Sequence, residues 1–569
     1  MISYARSRVP AEEIHSLCAY GPRVAGYETD GPPVALIIIT KETGKGVPGG
    51  PDTSPPKIPY LTMTEKGLLA ALDAAPSANP VPRIFLKIYE PLVNSEFLRG
   101  VEVGYKKRIM AEGLFELQAS YDNLSSCFII PYEYFLFDQL HRTVLAHPDE
   151  IEGYVRTYVG VRRKENLDFA LNGFEEAAVS LASIGAIIKG ECSVRMLRGR
   201  EQRLEALAKL RETYPQSPKV MAKNVILSST SKVGIEAKTE PLPPNSTKEG
   251  VWSMIELDRP KKLLRLDQGT VFDDASKMIE ELASIYGFSG DYEHEEKKMG
   301  DFTNSSKRLE LKGNGRKATF ILKPFPELKS AKWFILNVWS FSAKRFNMTP
   351  LSRLSRELEG ARRLREIGIK THRIAGIILE DRTLISEFTE GVPLDKYVQE
   401  ISGGKGIDTS QIEAYAQALA KMHRSGLVYG DTKPANALVG EDGLYLLDLE
   451  QAVEGGDKAW DLAEFLYYSA RSVKEEEGMK LIADSFLAAY RAENGSQAIA
   501  RARNIRYLNP FLIFVARKMR RVVRRSLERH SSPDVAGRHW HAIWIRGGAQ
   551  ESRCDSGASP LRSLNRSKT

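Results

Sequence analysis

The chain has 569 residues, 42% of them apolar and 27% charged, the composition of an ordinary globular protein of several domains; collagen-like and wholly disordered chains are excluded. No run approaches the roughly 18 apolar residues of a spanning helix, and the start, MISYARSRVPAEEIHSL, lacks the apolar core of a secretory signal, so a cytoplasmic protein without a transmembrane segment is expected. The net charge of +8 is uneven: between Arg501 and Arg529 ten Lys or Arg face one acid, Glu528, so that segment carries +9 and the remainder is nearly neutral.

In chain order, Val34-Ala-Leu-Ile-Ile-Ile39 reads as a buried strand, followed by a Gly/Pro-rich loop over 41–59. Residues 95–145 look mainly helical. A helix-like stretch from 166 then gives way to two short strands around Lys189-Gly190, an order that suits either a winged-helix module or a plain α+β connector. AKTEPLPPNSTKEG over 237–250 reads as a linker. Beyond it come a helix at 274–286 and strands 308–312 and 317–323. These strands are joined by Gly313-Asn314-Gly315-Arg316, where Asn-Gly supplies the φ > 0 positions of a tight hairpin. Helices at 351–367 and about 409–424 follow. The expected fold is therefore α+β and multidomain, divided as 1–100, 101–236, a linker at 237–254, 255–500, a basic helix at 501–529 and a disordered tail at 530–569. Four cysteines without CxxC spacing argue against disulfides or structural zinc, and the loosely spaced His539, His541 and Cys554 make no metal site.

Chemistry concentrates in Val428-Tyr-Gly-Asp-Thr-Lys-Pro-Ala-Asn-Ala-Leu-Val439 and Leu444-Tyr-Leu-Leu-Asp-Leu-Glu450. Asp431 and Asn436 share a loop held by Pro434, and Asp448 ends the next apolar run. A hairpin around Gly440-Glu-Asp-Gly443 would bring these groups together. Two acids and an amide suit Mg²⁺, a hard cation that takes oxygen ligands and keeps water and phosphate oxygens. Upstream, Lys323 closes the strand Ala318-Thr-Phe-Ile-Leu-Lys. On the helix at 351–367 Glu357 falls on the apolar face, whereas Glu359 points about 140° away. A carboxylate facing a core needs a cation, so Lys323 and Glu357 are expected to pair.

The run Asp-x-Lys-Pro-x-Asn with a following Asp resembles the catalytic loop and metal-binding acid of the protein-kinase-like superfamily, over about residues 300–500. The resemblance implies a two-lobed kinase-like domain using ATP and Mg²⁺. Asp431 would accept the proton of the attacking hydroxyl, Lys433 would lie near the γ-phosphate, and Asn436 and Asp448 would hold the metal. Lys323, fixed by Glu357, would meet the nucleotide phosphates, and the backbone of Glu387 and Phe388 would meet adenine. Asp461 resembles the acid that braces the catalytic loop.

Tyr429-Gly430 replaces the usual His-Arg, only twelve residues separate Asp448 from Asp461, and no Gly-x-Gly-x-x-Gly precedes Lys323; Asn304-Ser305-Ser306 stands in its place. This compactness, with Lys323-Pro-Phe, Lys332-Trp-Phe and Trp339, resembles the atypical archaeal kinases, the RIO family and the small kinase of the KEOPS complex. The N-terminal Tyr20-Gly-Pro-Arg-Val-Ala-Gly-Tyr27 resembles the opening of the nucleotidyltransferase fold, an α/β domain. Asp30-Gly-Pro-Pro-Val34 stands where that fold has paired acids, so a catalytically dead version is expected.

The expected activity is transfer of the ATP γ-phosphate to a Ser or Thr hydroxyl of a protein substrate. A small-molecule kinase of the aminoglycoside or choline type, and an RNA-associated ATPase or scaffold, remain open. Phe511, Val515, Met519 and Val522 recur at helical spacing, so one stripe of the basic segment would pack inward. Arg517, Lys518, Arg520, Arg521, Arg524 and Arg525 would face outward, toward tRNA or rRNA. An anionic membrane fits that helix less well, because its apolar stripe is narrow and already needed for packing.

Overall fold

The computed structural model describes residues 1–27, 34–41, 58–73, 82–147, 151–159, 162–214, 259–272, 275–288, 290–299, 306–327, 349–402 and 408–531. Asp30, most of the 41–59 loop, the 237–250 linker, Asn304, Ser305, Lys332, Trp339 and the tail beyond 531 lie outside the described residues. The architecture is mixed α+β, with several sheets and many helices.

The first sheet has four strands in the order Tyr60–Thr64, Ala35–Thr40, Ile14–Tyr20, Tyr89–Val93; the first pair is parallel and the others antiparallel. Alternation along Ala35–Thr40 divides its apolar run between two faces. Leu36 and Ile38 pack with Ala5 of the opening helix, Ile2–Arg8, and with Val9 just after it, while Ile37 and Ile39 join the main core. Continuous apolar sequence is thus what a strand covered on both faces requires.

The 27-residue helix Ser95–Tyr121 follows, started by Asn94, whose side chain accepts from Phe97 N. The segment expected to be helical to 145 is interrupted by a strand, Phe128–Pro131. Four apolar residues are too few to show period 2 against helical flanks. This strand also changes the domain reading. It pairs on one side with the hairpin Ile188–Lys189/Ser193–Arg195 and on the other with Arg265–Leu266, beyond the linker. The hairpin is therefore not the wing of a separate module.

One ten-stranded sheet runs from that hairpin through Phe128–Pro131, Arg265–Leu266, Thr270–Phe272, Ile374–Ile378, Thr383–Glu387, Arg316–Pro324 and Lys307–Gly313 to Glu293–Lys298. The division at 237–254 cuts through a shared sheet. Its Lys307–Gly313/Arg316–Pro324 hairpin turns at Asn314 (φ 53°) and Gly315 (φ 70°), as Asn-Gly dictates. The last strand, Glu-His-Glu-Glu-Lys-Lys, is exposed at every residue and closes the sheet edge with charge.

Pro350–Glu366 is one helix that packs against the turn Asp122–Cys127, with Cys127 Sγ 3.9 Å from Ser355 Oγ. The remainder is mainly helical, built on Ser410–Arg424, Lys458–Ser472 and Glu476–Asn494, with the hairpin Ala437–Gly440/Gly443–Leu446 extended by the short strands Lys370–Thr371 and Val392–Pro393 into a four-stranded sheet. The basic segment is not a single helix. Asn504, whose side chain accepts from Arg506 N, starts a short turn, and Pro510 follows. Only Arg517–Ser531 forms a long helix. The stripe still packs: Phe511 lies against Trp460, Tyr467 and Tyr468, and Val515, Met519 and Val522 are buried with Val523 and Leu527.

Candidate active site

Strand Arg316–Pro324 delivers Lys323, helix Pro350–Glu366 delivers Glu357, and the turn after Gly443–Leu446 delivers Asp448; the three meet. Lys323 Nζ lies 3.0 Å from Glu357 Oε2, 2.6 Å from Asp448 Oδ1 and 3.7 Å from Glu450 Oε2. Glu357 is 1% exposed, as its place on the apolar face required, while Glu359 pairs with Arg362 at the surface of the same helix. Gly360 permits the approach: a Cβ there would lie 2.9 Å from Leu449 Cβ, so only glycine lets this helix reach the strand end beside Asp448.

Asp448 has φ 57°, in the left-handed region. That conformation costs a non-glycine residue about 1–2 kcal/mol, and such strain clusters at functional sites. Charge is unbalanced here. Glu357, Asp448 and Glu450 face two cations, Lys323 and Arg353, whose Nη1 lies 3.4 Å from Glu450 Oε2. Burial alone would lower the pKa of Lys323, but Asp448, Glu357 and Glu450 together hold it above the ordinary lysine value. Burial and the Asp448 charge push Glu450 up. For Asp448, burial is outweighed by Lys323 first and then Lys433, which hold it below the usual carboxylate range. His372 closes the cluster with Nε2 3.5 Å from Glu357 Oε1. Burial first, then Lys323 and Arg365, lowers its pKa to about 3, so it is neutral.

Asp431 is buried, and Lys433 Nζ sits 2.8 Å from its Oδ1 and 3.0 Å from its Oδ2. Burial would lower the Lys433 pKa, but Asp431 holds it up. Asn436 Nδ2 donates to the Asp431 carbonyl at 2.9 Å, which leaves the amide oxygen as the acceptor available to a ligand. Leu447 N donates to the Asn436 carbonyl at 2.9 Å, tying the Asn436 loop to the strand that ends at Asp448.

The brace below this loop is fully buried. Asp461 Oδ2 accepts from Tyr429 N (2.7 Å) and Oδ1 from Gly430 N (2.8 Å); Thr432 N and Trp460 Nε1 each donate to Glu464 Oε2 at 2.9 Å. His423 lies between Asp461 (3.0 Å) and the Tyr490 hydroxyl (2.7 Å). Tyr429, which sequence reading treated only as a missing His, donates its hydroxyl to the carbonyls of both Asn436 and Leu447. Glu464 and Glu450 were missed as well. Glu464 sits one residue short of a turn after Asp461, and Arg353 precedes Glu357 by four, a spacing that points to a cation on the same helix face.

Glu387 ends the strand Thr383–Glu387, and Phe388 follows it. Their backbone N–H groups are spent inside the fold, Glu387 on Arg373 O (2.8 Å) and Phe388 on Thr319 O (2.9 Å), so neither donor faces a ligand. Glu387 stands three positions, about 10 Å, and Phe388 four positions from Leu384, the residue opposite Lys323. The Phe388 ring carries the Arg308 guanidinium at 4.6 Å, and Glu387 Oε1 accepts from the Tyr286 hydroxyl at 2.7 Å.

Among the described residues no three His, Cys, Asp or Glu side chains are arranged to hold a metal by themselves. The fit to a cation therefore rests on Asp448 and the Asn436 amide oxygen, a sparse oxygen set of the kind Mg²⁺ accepts when phosphate and water complete its shell. No helix among the described residues is long and apolar enough to cross a membrane. No family model matches the chain. Among solved structures, that of the bifunctional kinase-methyltransferase WbdD is similar at 13% identity and TM-score 0.22; the match covers 42% of this chain and spans about half, 47%, of that one.

Proposed function

We propose that the chain is an ATP-dependent phosphotransferase with a two-lobed kinase-like domain that phosphorylates a hydroxyl group. The observation that carries this reading is the single lysine, Lys323, held between Glu357 and an Asp448 of strained backbone, in a site with one more carboxylate than cations. In the proposal Lys323 orients the nucleotide phosphates and Glu357 fixes Lys323. Asp448 and the Asn436 amide oxygen hold Mg²⁺, which when bound neutralises phosphate charge. Asp431, buried beside Lys433, accepts the proton of the incoming hydroxyl, and Lys433 balances the charge that develops.

A protein Ser/Thr hydroxyl is the leading acceptor because of the Asp-x-Lys-Pro-x-Asn loop. A small-molecule hydroxyl is the second reading, and one feature favours it. The stretch from Asp448 to Asp461 is short and folded back, with Val453–Glu454 pairing Leu427–Val428, and so offers no platform for an extended peptide. Transfer of labelled γ-phosphate to the chain itself, to generic protein and to small alcohols separates these acceptors. Asp431→Asn should cut transfer by roughly 10²–10⁴-fold with nucleotide binding kept. Asp448→Asn should cut it as far, with the metal dependence of nucleotide binding lost. Near-normal transfer in either variant overturns the proposal.

A further inference from the structure

The basic segment carries a feature that its sequence pattern concealed. With its periodic stripe buried, three consecutive apolar residues just before the long helix remain in solvent: Leu512, Ile513 and Phe514 are 40%, 66% and 58% exposed. Arg517–Ser531 begins three residues later. At 3.6 residues per turn, Arg517, Lys518, Arg521, Arg524 and Arg525 fall within an arc of about 120°, opposite the arc that buries Met519, Val522, Val523, Ser526 and Leu527. All five cations are exposed. Arg524 pairs with Glu528, whereas Arg517, Arg521, Arg525 and Lys518 have no carboxylate partner among the described residues. Beside this row lies an open cavity of about 520 Å³ lined by Arg501, Arg503, Arg506, Arg524 and Tyr507; Glu528 is the acid in its lining, and Asp457 pairs with Arg501 and Arg506 from beside it.

We propose that this face binds the surface of an anionic phospholipid bilayer. Leu512, Ile513 and Phe514 enter the headgroup–acyl boundary, the helix row lies over the lipid phosphates, and the arginine cavity seats one headgroup. Each part has its reason. An exposed apolar triplet gains by leaving water, unpaired cations gain from a negative surface, and a wide arginine-lined basin fits a phosphate with its substituent. Nucleic acid, the partner expected from charge alone, would satisfy the arginines but leave Leu512 and Ile513 in water. The membrane becomes the better match because the apolar contact does not compete with packing.

Sedimentation of the full chain with vesicles of phosphatidylcholine, alone and mixed with phosphatidylglycerol, tests this, with single-stranded RNA as the competing ligand. Binding is expected only to the anionic vesicles. Each cation removed should weaken it about five-fold, so R517Q/R521Q/R525Q should lose roughly 100-fold. I513S/F514S should lose at least about ten-fold, including the fraction of binding that survives high salt. These positions are exposed, and unchanged thermal unfolding of each variant verifies the fold. Failure to bind anionic vesicles, wild-type binding by I513S/F514S, or binding of RNA without vesicles each overturns the proposal.

Discussion

Two lysines are drawn into the interior by glutamates, and their surroundings differ in every respect that matters for chemistry. Lys106 is 0% exposed on the long helix. It bonds Glu102 and the Ala170 carbonyl (2.6 Å) and lies 5.2 Å over the Phe174 ring. Glu102 also accepts from Arg99 (2.8 Å) and the Tyr89 hydroxyl (2.7 Å). Gly173 lets the neighbouring helix close over the pair, since a Cβ there would stand 2.6 Å from Glu102 Oε1. Lys106 and Glu102 are both fully buried and hydrogen-bonded within the fold. Burial lowers the Lys106 pKa, with Glu102 opposing. Lys323 is 24% exposed on its side chain, faces three carboxylates, and its pKa is raised. A closed, balanced pair holds a fold together; an open pair with surplus negative charge has work left for a ligand.

The largest test of that contrast is to remove each lysine. Lys323→Met should cut phosphotransfer per folded molecule by roughly 10²–10³-fold, and should cost stability as well because the buried Glu357 loses its cation. Lys106→Met should lower stability by roughly 2 kcal/mol, since the buried Glu102 keeps only Arg99 and the Tyr89 hydroxyl, with activity per folded molecule kept. Denaturant unfolding and initial rates on the same preparations read both. Equal damage to activity from the two variants would break the comparison. A smaller effect sharpens it. Replacing the closed pair together, Glu102→Leu with Lys106→Met, should recover about half or more of the stability lost in Lys106→Met, because well-packed apolar side chains need no solvation.

What could be read in advance follows the range of the signal. The Asn314-Gly315 turn, the Lys323 strand and the choice of Glu357 over Glu359 all rest on neighbours within a few residues, and local periodicity carries them. The sheet that joins Phe128–Pro131 to Arg265–Leu266 bridges more than a hundred residues with strands of four and two. Neither strand has enough length to show a period. The edge strand Glu293–Lys298 was invisible for another reason: six polar residues resemble a loop until a partner strand pairs with them. At the site, Asp431, Asn436, Asp448 and Asp461 stand in one compact motif. Tyr429 and His372 act only through three-dimensional neighbours, and their residue types announce nothing.

His372 gives a pH signature that the Lys106 cluster lacks. Its folded pKa of about 3 lies below the ordinary value of 6.5, so between those values the unfolded chain binds a proton that the folded chain refuses. Stability contributed by its neutral form is therefore complete above about pH 6.5 and is lost as pH falls toward 3. Substituting His372→Met removes this term. Relative to that variant, the wild-type chain should lose roughly 2 kcal/mol more between pH 6.5 and 5, measured by urea unfolding. Parallel curves for the two proteins would mean that His372 meets water or accepts a proton in the folded state.

The smallest expected effect concerns Tyr429, and it separates holding a site from serving in it. Its hydroxyl reaches the carbonyls of Asn436 and Leu447, residues whose side chain or next neighbour supplies the proposed metal oxygens. Tyr429→Phe keeps the ring in its fully buried place and removes only that tether. Leu447 N still bonds the Asn436 carbonyl at 2.9 Å, so the loop stays in register and the stability cost should be about 1–2 kcal/mol. The Asn436 amide oxygen would then hold its angle to Asp448 less firmly. The Mg²⁺ concentration for half-maximal transfer should rise about ten-fold, while the rate at saturating Mg²⁺ stays within about two-fold of wild type. A fall in the saturated rate with unchanged Mg²⁺ dependence would place Tyr429 with Asp431 instead, as a support of proton transfer.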